Sequence, residues 1–312
     1  MSKNSTSSLS KNLLPIIKGS YRHGYPLSKV AWFKVGGPAE LMFIPKDKED
    51  LINFLKNTII NKFNLFVIGA CSNLLIRDGG LDGVVIKLGK DFKSIKNKED
   101  YIFVGAGALD IVVSKFAASR GIGGLEFLSG IPGTIGGSIF MNAGAYGKEI
   151  SDILISIEAV DRSGNIHNIE SKDIKFSYRS SKIKKNLILL SACLKGYKED
   201  KLEIEKKIRE IKKLRSETQP VRKKTGGSTF KNPEDSNYKA WELIELSGCR
   251  GMEKGGAKIS DLHCNFLVNS GTASAFELEE LGNDIKNKVL YSTGVTLDWE
   301  IERVGNVLEV SS

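Results

Sequence analysis

The sequence predicts an α+β chain folded in two lobes, on three observations. Short β-like runs alternate with helical patterns through the first two thirds, a basic amphipathic stretch follows, and a helix, strand, helix, strand order closes the chain. The polar, low-complexity start "MSKNSTSSLSKN", residues 1–12, reads as disordered, and folded structure is expected from Leu13. From "AWFKVGGPAELMFIP" onward, "FVIGA", "GVVIKL" and "YIFVGAG" are predicted strands, and "DKEDLINFLKN" and "LDIVVSKFAASRG" are predicted helices. The strand runs "ISIEAVDRSGNIHNIE" and "LILLSACLKGY" complete the first lobe near residue 198. The expected division is therefore 13–198, with subdomains of about 13–90 and 91–198, then 199–312 for a linker helix and a C-terminal domain. That domain reads as helix "YKAWELIELSG", strand "HCNFLVNSG", helix "AFELEELGNDIKNKVLYSTG" and strand "TLDWEIERVG".

The net charge of +9 raises the question of nucleic acid, and its distribution answers against it. Between Lys195 and Lys224 basic residues outnumber acidic ones twelve to six, and Ile204, Ile208 and Ile211 recur there at helical spacing. The lysines are expected on the solvated face of the linker helix, since no recognition helix, aromatic platform or zinc knuckle accompanies them. A phosphate-bearing small substrate suits the same field. Cys71, Cys193, Cys249 and Cys264 lack C-x-x-C spacing, so neither structural zinc nor a disulfide framework is expected. No apolar run approaches the roughly 20 residues that span a bilayer, and no signal-peptide pattern is present, so a cytoplasmic protein without membrane insertion is expected.

Two glycine-rich segments stand out in the first lobe. "VIGACSNLLIRDGGLDGVVI" places Gly69, Ser72 and Asn73 directly after an apolar strand. "LSGIPGTIGGSIFMNAGAYGKEI" gathers Gly130, Gly133, Gly136, Gly137 and Gly144 in a span with few charges. Such backbone can approach a ligand closely and converge N–H groups on phosphate oxygens, so a bound pyrophosphate fits both; tight turns and close-packed crossings fit them too. Neither segment has the spacing of a Rossmann fingerprint or a P-loop. A third loop, "KTGGSTFKNP", follows the basic stretch and sets two hydroxyls, Ser228 and Thr229, after a doubled glycine.

"GACSNLLIRDGG", "GLEFLSGIPGTIGGSIFMNAGAYG", "FSYRSS", "GGSTFKNP" and "LDWEIERVG", in this order, closely resemble the UDP-N-acetylenolpyruvoylglucosamine reductases, flavoenzymes of peptidoglycan precursor synthesis. The resemblance covers nearly the whole chain from Leu13. It implies an FAD-binding domain of the vanillyl-alcohol-oxidase (PCMH) type in two subdomains, followed by a smaller α+β substrate-binding domain. It further implies that Gly69, Ala70, Cys71, Ser72 and Asn73 cradle the FAD pyrophosphate, that Gly133, Thr134, Gly137 and Gly144 line the rest of the cofactor, and that Arg215 reaches the flavin. Cys71 stands where relatives usually carry glycine, so a positive φ there would strain or reshape the loop. The short stretch between Arg179 and Ser228 resembles the class that lacks the tyrosine-bearing insertion.

The implied reaction uses NADPH to reduce UDP-N-acetylglucosamine enolpyruvate to UDP-N-acetylmuramate, and its chemistry selects residue types. Hydride arriving at the methylene drives charge into an enediolate-like carboxylate, which needs stabilising, and the carbon bearing the ether oxygen needs a proton. Arg179 offers a planar fork of donors to that carboxylate. Glu300, expected on the strand face opposite Leu297 and Trp299, can donate a hydrogen bond in its protonated form. Ser228 can protonate a strongly basic enediolate; Thr229 is the competing hydroxyl, and the family pattern favours Ser228. Lys231, Asn232, Tyr146 and His263 are implied substrate contacts, whereas His23 and His167 receive no role. No metal and no nucleic acid are expected, and the chain is expected to be a monomer. The alternative is another FAD-dependent oxidase or reductase of the same fold.

Overall fold

The computed structural model describes residues 14–308, so the expected disordered start, 1–12, lies outside the described residues. The architecture is α+β, as expected. The chain packs as two compact units, one of residues up to 25, 39–69 and 82–211, the other of 26–38, 70–81 and 212 onward. This differs from the expected division at 198: two short N-terminal segments pack with the C-terminal third, and the change of unit falls inside the linker helix after Ile211.

The two larger sheets of the first unit, of four and five strands, frame its core. One orders its strands Ser20–Pro26, Pro38–Ile44, Leu81–Lys87, Leu65–Ile68, with the last two parallel. Helix α1 (Lys48–Leu55) starts at Asp47, whose carboxylate accepts the Asp50 N–H at 2.8 Å, and buries Leu51, Phe54 and Leu55 with Leu41, Phe43, Val84 and Ile86 of the sheet. The other sheet is antiparallel, in the order Ile166–Glu170, Leu154–Val160, Ile188–Lys195, Tyr101–Gly105, Ile95–Lys98. It shares a core with α2 (Asp110–Ser119) and α3 (Ile135–Phe140) through Val113, Ala117, Ile135 and Ile139. The linker is helix α4 (Lys201–Thr218), which buries Ile204 and Ile208 beside Ala118 and leaves most of its charged residues exposed. Ile211 is half-buried.

In the second unit, α5 (Ala240–Leu246) and α6 (Ala275–Thr293) pack with an antiparallel sheet of Glu253–Lys254, Ala257–Ile259 and Leu267–Asn269. A parallel pair, Leu74–Ile76 with Glu302–Val304, belongs to the same unit. Helix α6 begins with a capping box, Ser274 Oγ accepting from Glu277 N–H at 3.1 Å and Glu277 Oε2 from Ser274 N–H at 3.0 Å. The Asp78 carboxylate accepts the next two helix N–H groups, and Gly294 at φ +73° ends the helix. The expected strand "TLDWEIERVG" is regular only over Glu302–Val304. Upstream, the chain bridges Phe230 through Trp299, yet Leu297 and Ile301 stay buried while Asp298 and Glu302 are exposed. Alternation thus survives without a regular strand. No helix among the described residues is long and apolar enough to cross a membrane.

Gly282 of α6 fixes where Trp299 sits, because a Cβ there would lie 2.1 Å from the far edge of the indole ring. Gly282→Ala should destabilise the protein: overpacking costs about 1–3 kcal/mol, against a helix-propensity gain of about 1 kcal/mol. Urea unfolding is expected to show a lower midpoint at unchanged slope; a raised midpoint would mean that the indole yields without cost.

Candidate active site

In the second unit, the loop carrying Ser228 is held from both sides by two chain segments. Thr229 N–H donates to the Asn265 carbonyl at 2.8 Å, and the Thr229 carbonyl accepts Glu300 N–H at 2.9 Å. The Asn265 side chain takes both polar groups of the next residue: Oδ1 accepts Phe230 N–H at 2.9 Å and Nδ2 donates to the Phe230 carbonyl at 2.8 Å. Lys231 N–H then donates to the Asp298 carbonyl at 2.8 Å. Ser228 and Glu300 are therefore carried on adjacent, mutually bonded stretches of backbone. Both side chains are half-buried.

The two hydroxyls differ. Thr229 has no exposed surface, and its Oγ1 accepts Leu267 N–H at 3.0 Å, so it works as a structural acceptor. The doubled glycine has separate reasons: a Cβ on Gly226 would sit 2.3 Å from the Phe33 ring, and Gly227 has φ +83° with open space around it. Lys231 is half-buried, while Asn232 is exposed and its Oδ1 accepts Ala240 N–H at the start of α5 at 3.0 Å. His263 Nδ1 accepts Asn265 N–H at 3.2 Å, which assigns the proton to Nε2. Burial holds this imidazole below the usual histidine range, and the Arg250 charge adds to the effect. Its neighbour Cys264 points its thiol at Glu245 Oε2, 2.7 Å away; burial, then that carboxylate, push the thiol up to about 12.

Asn73 joins this group. Its Nδ2 donates to the Glu300 carbonyl at 3.0 Å, and its own carbonyl accepts Glu302 N–H at 3.0 Å. The strand end beyond is anchored by Glu279, which takes a bidentate pair from Arg77 at 2.8 Å and a third bond from Arg303 at 3.1 Å. The Arg303 guanidinium lies 4.6 Å from the Trp299 ring centroid. A cleft of about 620 Å³ in the same unit is lined by Gln219, Arg222, Lys223, Lys258 and Ser260, among others.

In the first unit the two glycine-rich segments meet. Gly69 faces Thr134, and a Cβ at position 69 would fall 2.3 Å from Thr134 Oγ1. A wall of main chain and small residues results, with Thr134 buried and Gly137 exposed, and it fits the close backbone approach that a dinucleotide's phosphates require. Ala70, Cys71, Ser72 and Asn73 continue the turn where the chain passes into the second unit. Cys71 is 4% exposed with φ +54°, the left-handed region in which a residue other than glycine is strained. Gly133 abuts Asp110, whose Oδ2 accepts Ser138 Oγ–H at 2.7 Å. Asp110 is fully buried, its Oδ1 and Ser114 Oγ have no partner, and burial pushes its carboxyl up to about 7.

Arg179 occupies the turn of a tight hairpin, Phe176–Ser177 paired with Ser180–Ser181, and has φ +52°. Its guanidinium donates to the Gly144 carbonyl at 3.0 Å and lies 5.0 Å from the Tyr178 ring centroid. Tyr146, also at positive φ, is 45% exposed and its hydroxyl donates to the Ile211 carbonyl at 3.3 Å. Arg215 lies in the last turn of α4, its Nε donating to Gln219 Oε1 at 3.2 Å. Of the expected site residues, Gly69, Gly133, Thr134, Gly137, Gly144, Tyr146 and Arg179 belong to the first unit, and Ala70, Cys71, Ser72, Asn73, Arg215, Ser228, Lys231, Asn232, His263 and Glu300 to the second. Sequence reasoning missed Asn265 and Asp110. Only the polar interruption of an apolar run in "HCNFLVN" marks the first, and nothing marks the second, because an acid in a first helical turn is ordinary.

Among known proteins, the FAD binding domain family matches residues 39–170, and the C-terminal domain family of UDP-N-acetylenolpyruvoylglucosamine reductase matches residues 219–304. A protein of that name from Rickettsia conorii is 50% identical over 295 residues, covering 94% of this chain and 98% of the relative. Another from Rickettsia typhi is 49% identical over 294 residues, covering 94% and 99%. The crystal structure of UDP-N-acetylenolpyruvylglucosamine reductase from Thermus caldophilus superposes with a TM-score of 0.79 at 31% identity, over 92% of this chain and 99% of that one. A 6-hydroxy-D-nicotine oxidase from Arthrobacter nicotinovorans shares the fold alone, with a TM-score of 0.56 at 12% identity over 92% and 88% of the two chains.

Two predictions follow from this geometry. Asp110 has a folded-state pKa raised from 3.8 to about 7, so the native state holds its proton longer than the unfolded chain does. The wild-type protein should lose stability as pH rises from about 4 to about 7, by a few kcal/mol at most. Asp110→Asn should remove that slope in urea titrations at several pH values; a slope unchanged by the substitution would assign it elsewhere. At Cys71, glycine relieves the positive-φ strain that alanine retains, and both lose the thiol. Cys71→Gly should therefore be about 1 kcal/mol more stable than Cys71→Ala, and the reverse order would show the turn to be unstrained.

Proposed function

Because the chain belongs to the family of UDP-N-acetylenolpyruvoylglucosamine reductases, we propose that it reduces UDP-N-acetylglucosamine enolpyruvate to UDP-N-acetylmuramate with NADPH, through bound FAD, as a cytoplasmic monomer. The observation that carries this reading is the Ser228 loop, hydrogen-bonded along its backbone to the segment bearing Glu300. FAD, if bound, would supply the hydride-transfer chemistry that links NADPH to the terminal methylene of the enolpyruvyl group. Gly69, Ala70, Cys71, Ser72, Asn73, Gly133, Thr134, Gly137, Gly144 and Arg215 are the residues assigned to hold it.

Arg179 pairs with the substrate carboxylate as charge accumulates there, and its turn presents the guanidinium with one N–H already fixed on the Gly144 carbonyl. Glu300, protonated, donates a hydrogen bond to the same developing charge. Ser228 Oγ delivers the proton to the carbon bearing the ether oxygen, which completes addition of hydride and proton across the double bond. Thr229 is the weaker candidate for that step, since its buried hydroxyl already accepts Leu267 N–H. Lys231, Asn232, His263 and Tyr146 are assigned to the nucleotide-sugar, and the Arg222, Lys223 and Lys258 cleft supplies cations suited to its diphosphate. Since NADPH and the enolpyruvyl group use one redox centre in turn, ping-pong kinetics should result.

The test is anaerobic: the FAD-loaded protein is reduced with NADPH, then mixed with UDP-N-acetylglucosamine enolpyruvate. Reoxidation of the flavin by that compound supports the reading; reoxidation by oxygen alone would favour an oxidase on the same fold. Ser228→Ala should leave reduction by NADPH intact and slow reoxidation about 10²- to 10⁴-fold. Equal slowing of both half-reactions would remove Ser228 from proton delivery.

A further inference from the structure

We propose that Asn265 is a positioning residue that fixes Ser228 for proton delivery, an inference that rests on the reading of Ser228 as the proton donor. On the N-terminal side Gly226 packs against the Phe33 ring, whereas Gly227, directly before Ser228, adopts φ +83° with nothing packed within 4 Å of where a side chain would project. The backbone hydrogen bonds nearest to Ser228 lie on its C-terminal side. There the Ser228–Thr229 peptide is held by the Asn265 carbonyl at 2.8 Å, and the following peptide groups are held by the Asn265 amide at 2.9 and 2.8 Å.

An asparagine suits this task because one side chain presents an acceptor and a donor side by side, matching the N–H and C=O of a single residue. Aspartate keeps the acceptor and, when ionised, sets an oxygen against the Phe230 carbonyl; leucine offers neither partner. Asn265 is itself braced. His263 Nδ1 accepts its N–H at 3.2 Å, Phe266 N–H closes the turn on the His263 carbonyl at 3.1 Å, and Cys264 Sγ lies 2.7 Å from Glu245. Asn265 is 4% exposed, so it acts on the proton donor through the loop rather than by touching substrate.

The experiment compares Asn265→Leu and Asn265→Asp with wild type in FAD-loaded protein, by stopped-flow of both half-reactions and by amide hydrogen exchange of Thr229 and Phe230. Reduction by NADPH is expected to stay within about twofold while reoxidation by UDP-N-acetylglucosamine enolpyruvate slows about 10²-fold, the order that a displacement near 1 Å produces. Binding of that substrate to the oxidised enzyme, read from the flavin spectrum, should be unchanged. Exchange at Phe230 should accelerate in the leucine variant and less in the aspartate variant, which still accepts that N–H. Unchanged reoxidation, equal slowing of both half-reactions, or failure of both variants to fold would each overturn the proposal, the last two because they make the amide a general structural need. If wild-type flavin is not reoxidised by the substrate, the functional reading fails instead, and the exchange data still report whether Asn265 holds the loop.

Discussion

The two hydrogen bonds between the Asn265 amide and the Phe230 backbone are the constraint on which the second unit's site geometry depends. Phe230 is 1% exposed, so its N–H and C=O have no recourse to water, and leaving either unpaired costs about 1–3 kcal/mol. Once they are paired to Asn265, the other edge of the loop is committed to the 298–300 stretch through Glu300 N–H and Lys231 N–H. That pairing brings Trp299 over Phe230, with ring centroids 5.1 Å apart, and Trp299 in turn needs the absent side chain of Gly282. Arg303 covers the exposed indole face and passes the restraint to Glu279 and Arg77. The loop that carries Ser228 is thereby tied to a helix, a sheet edge and an ion-pair network.

The legible part of this arrangement was local. Helical spacing at Ile204 and Ile208 showed which face of α4 is buried, and alternation from Leu297 to Ile301 placed Glu300 away from the core although no regular strand forms there. What the sequence left open was decided by long-range partners. Ser228 and Thr229 are equivalent as letters; the N–H of Leu267, 38 residues beyond Thr229, is what occupies one hydroxyl. Likewise 26–38 and 70–81 are too short to advertise their packing, because their buried residues Phe33, Val35 and Leu75 complete a core whose other buried members come from the C-terminal third. Asn265 carried little signal for the same reason: a polar residue near a strand start looks solvated until its backbone partners are known.

Asp110 shows the opposite case, a local pattern that misleads. An aspartate at the first position of α2 should face solvent and the helix N-terminus, yet it is fully buried against Gly133 and Ser138. Two of the orphaned polar atoms, Asp110 Oδ1 and Ser114 Oγ, lie one helical turn apart on α2. Such groups oppose folding, most of all when the carboxyl ionises. Their neighbours Gly133 and Thr134 belong to the wall assigned to the cofactor, where local rules of burial are the ones most often broken.

Backbone strain makes the same point in a form that packing alone does not explain. Cys71 and Arg179 both adopt the left-handed region without being glycine, at a cost of order 1 kcal/mol each. At Arg179 a glycine would close the Ser177 to Ser180 turn more easily, but it would lose the contacts that the arginine side chain makes. Its surroundings are arranged around that side chain: Tyr178 lies beside the guanidinium, the Gly144 carbonyl receives one N–H, and a Cβ on Gly144 would come within 3.1 Å of the same group. A surface arginine requires none of this. A guanidinium fixed in one orientation suits the pairing with a carboxylate proposed for it, because donors set in place beforehand stabilise developing charge without reorganising.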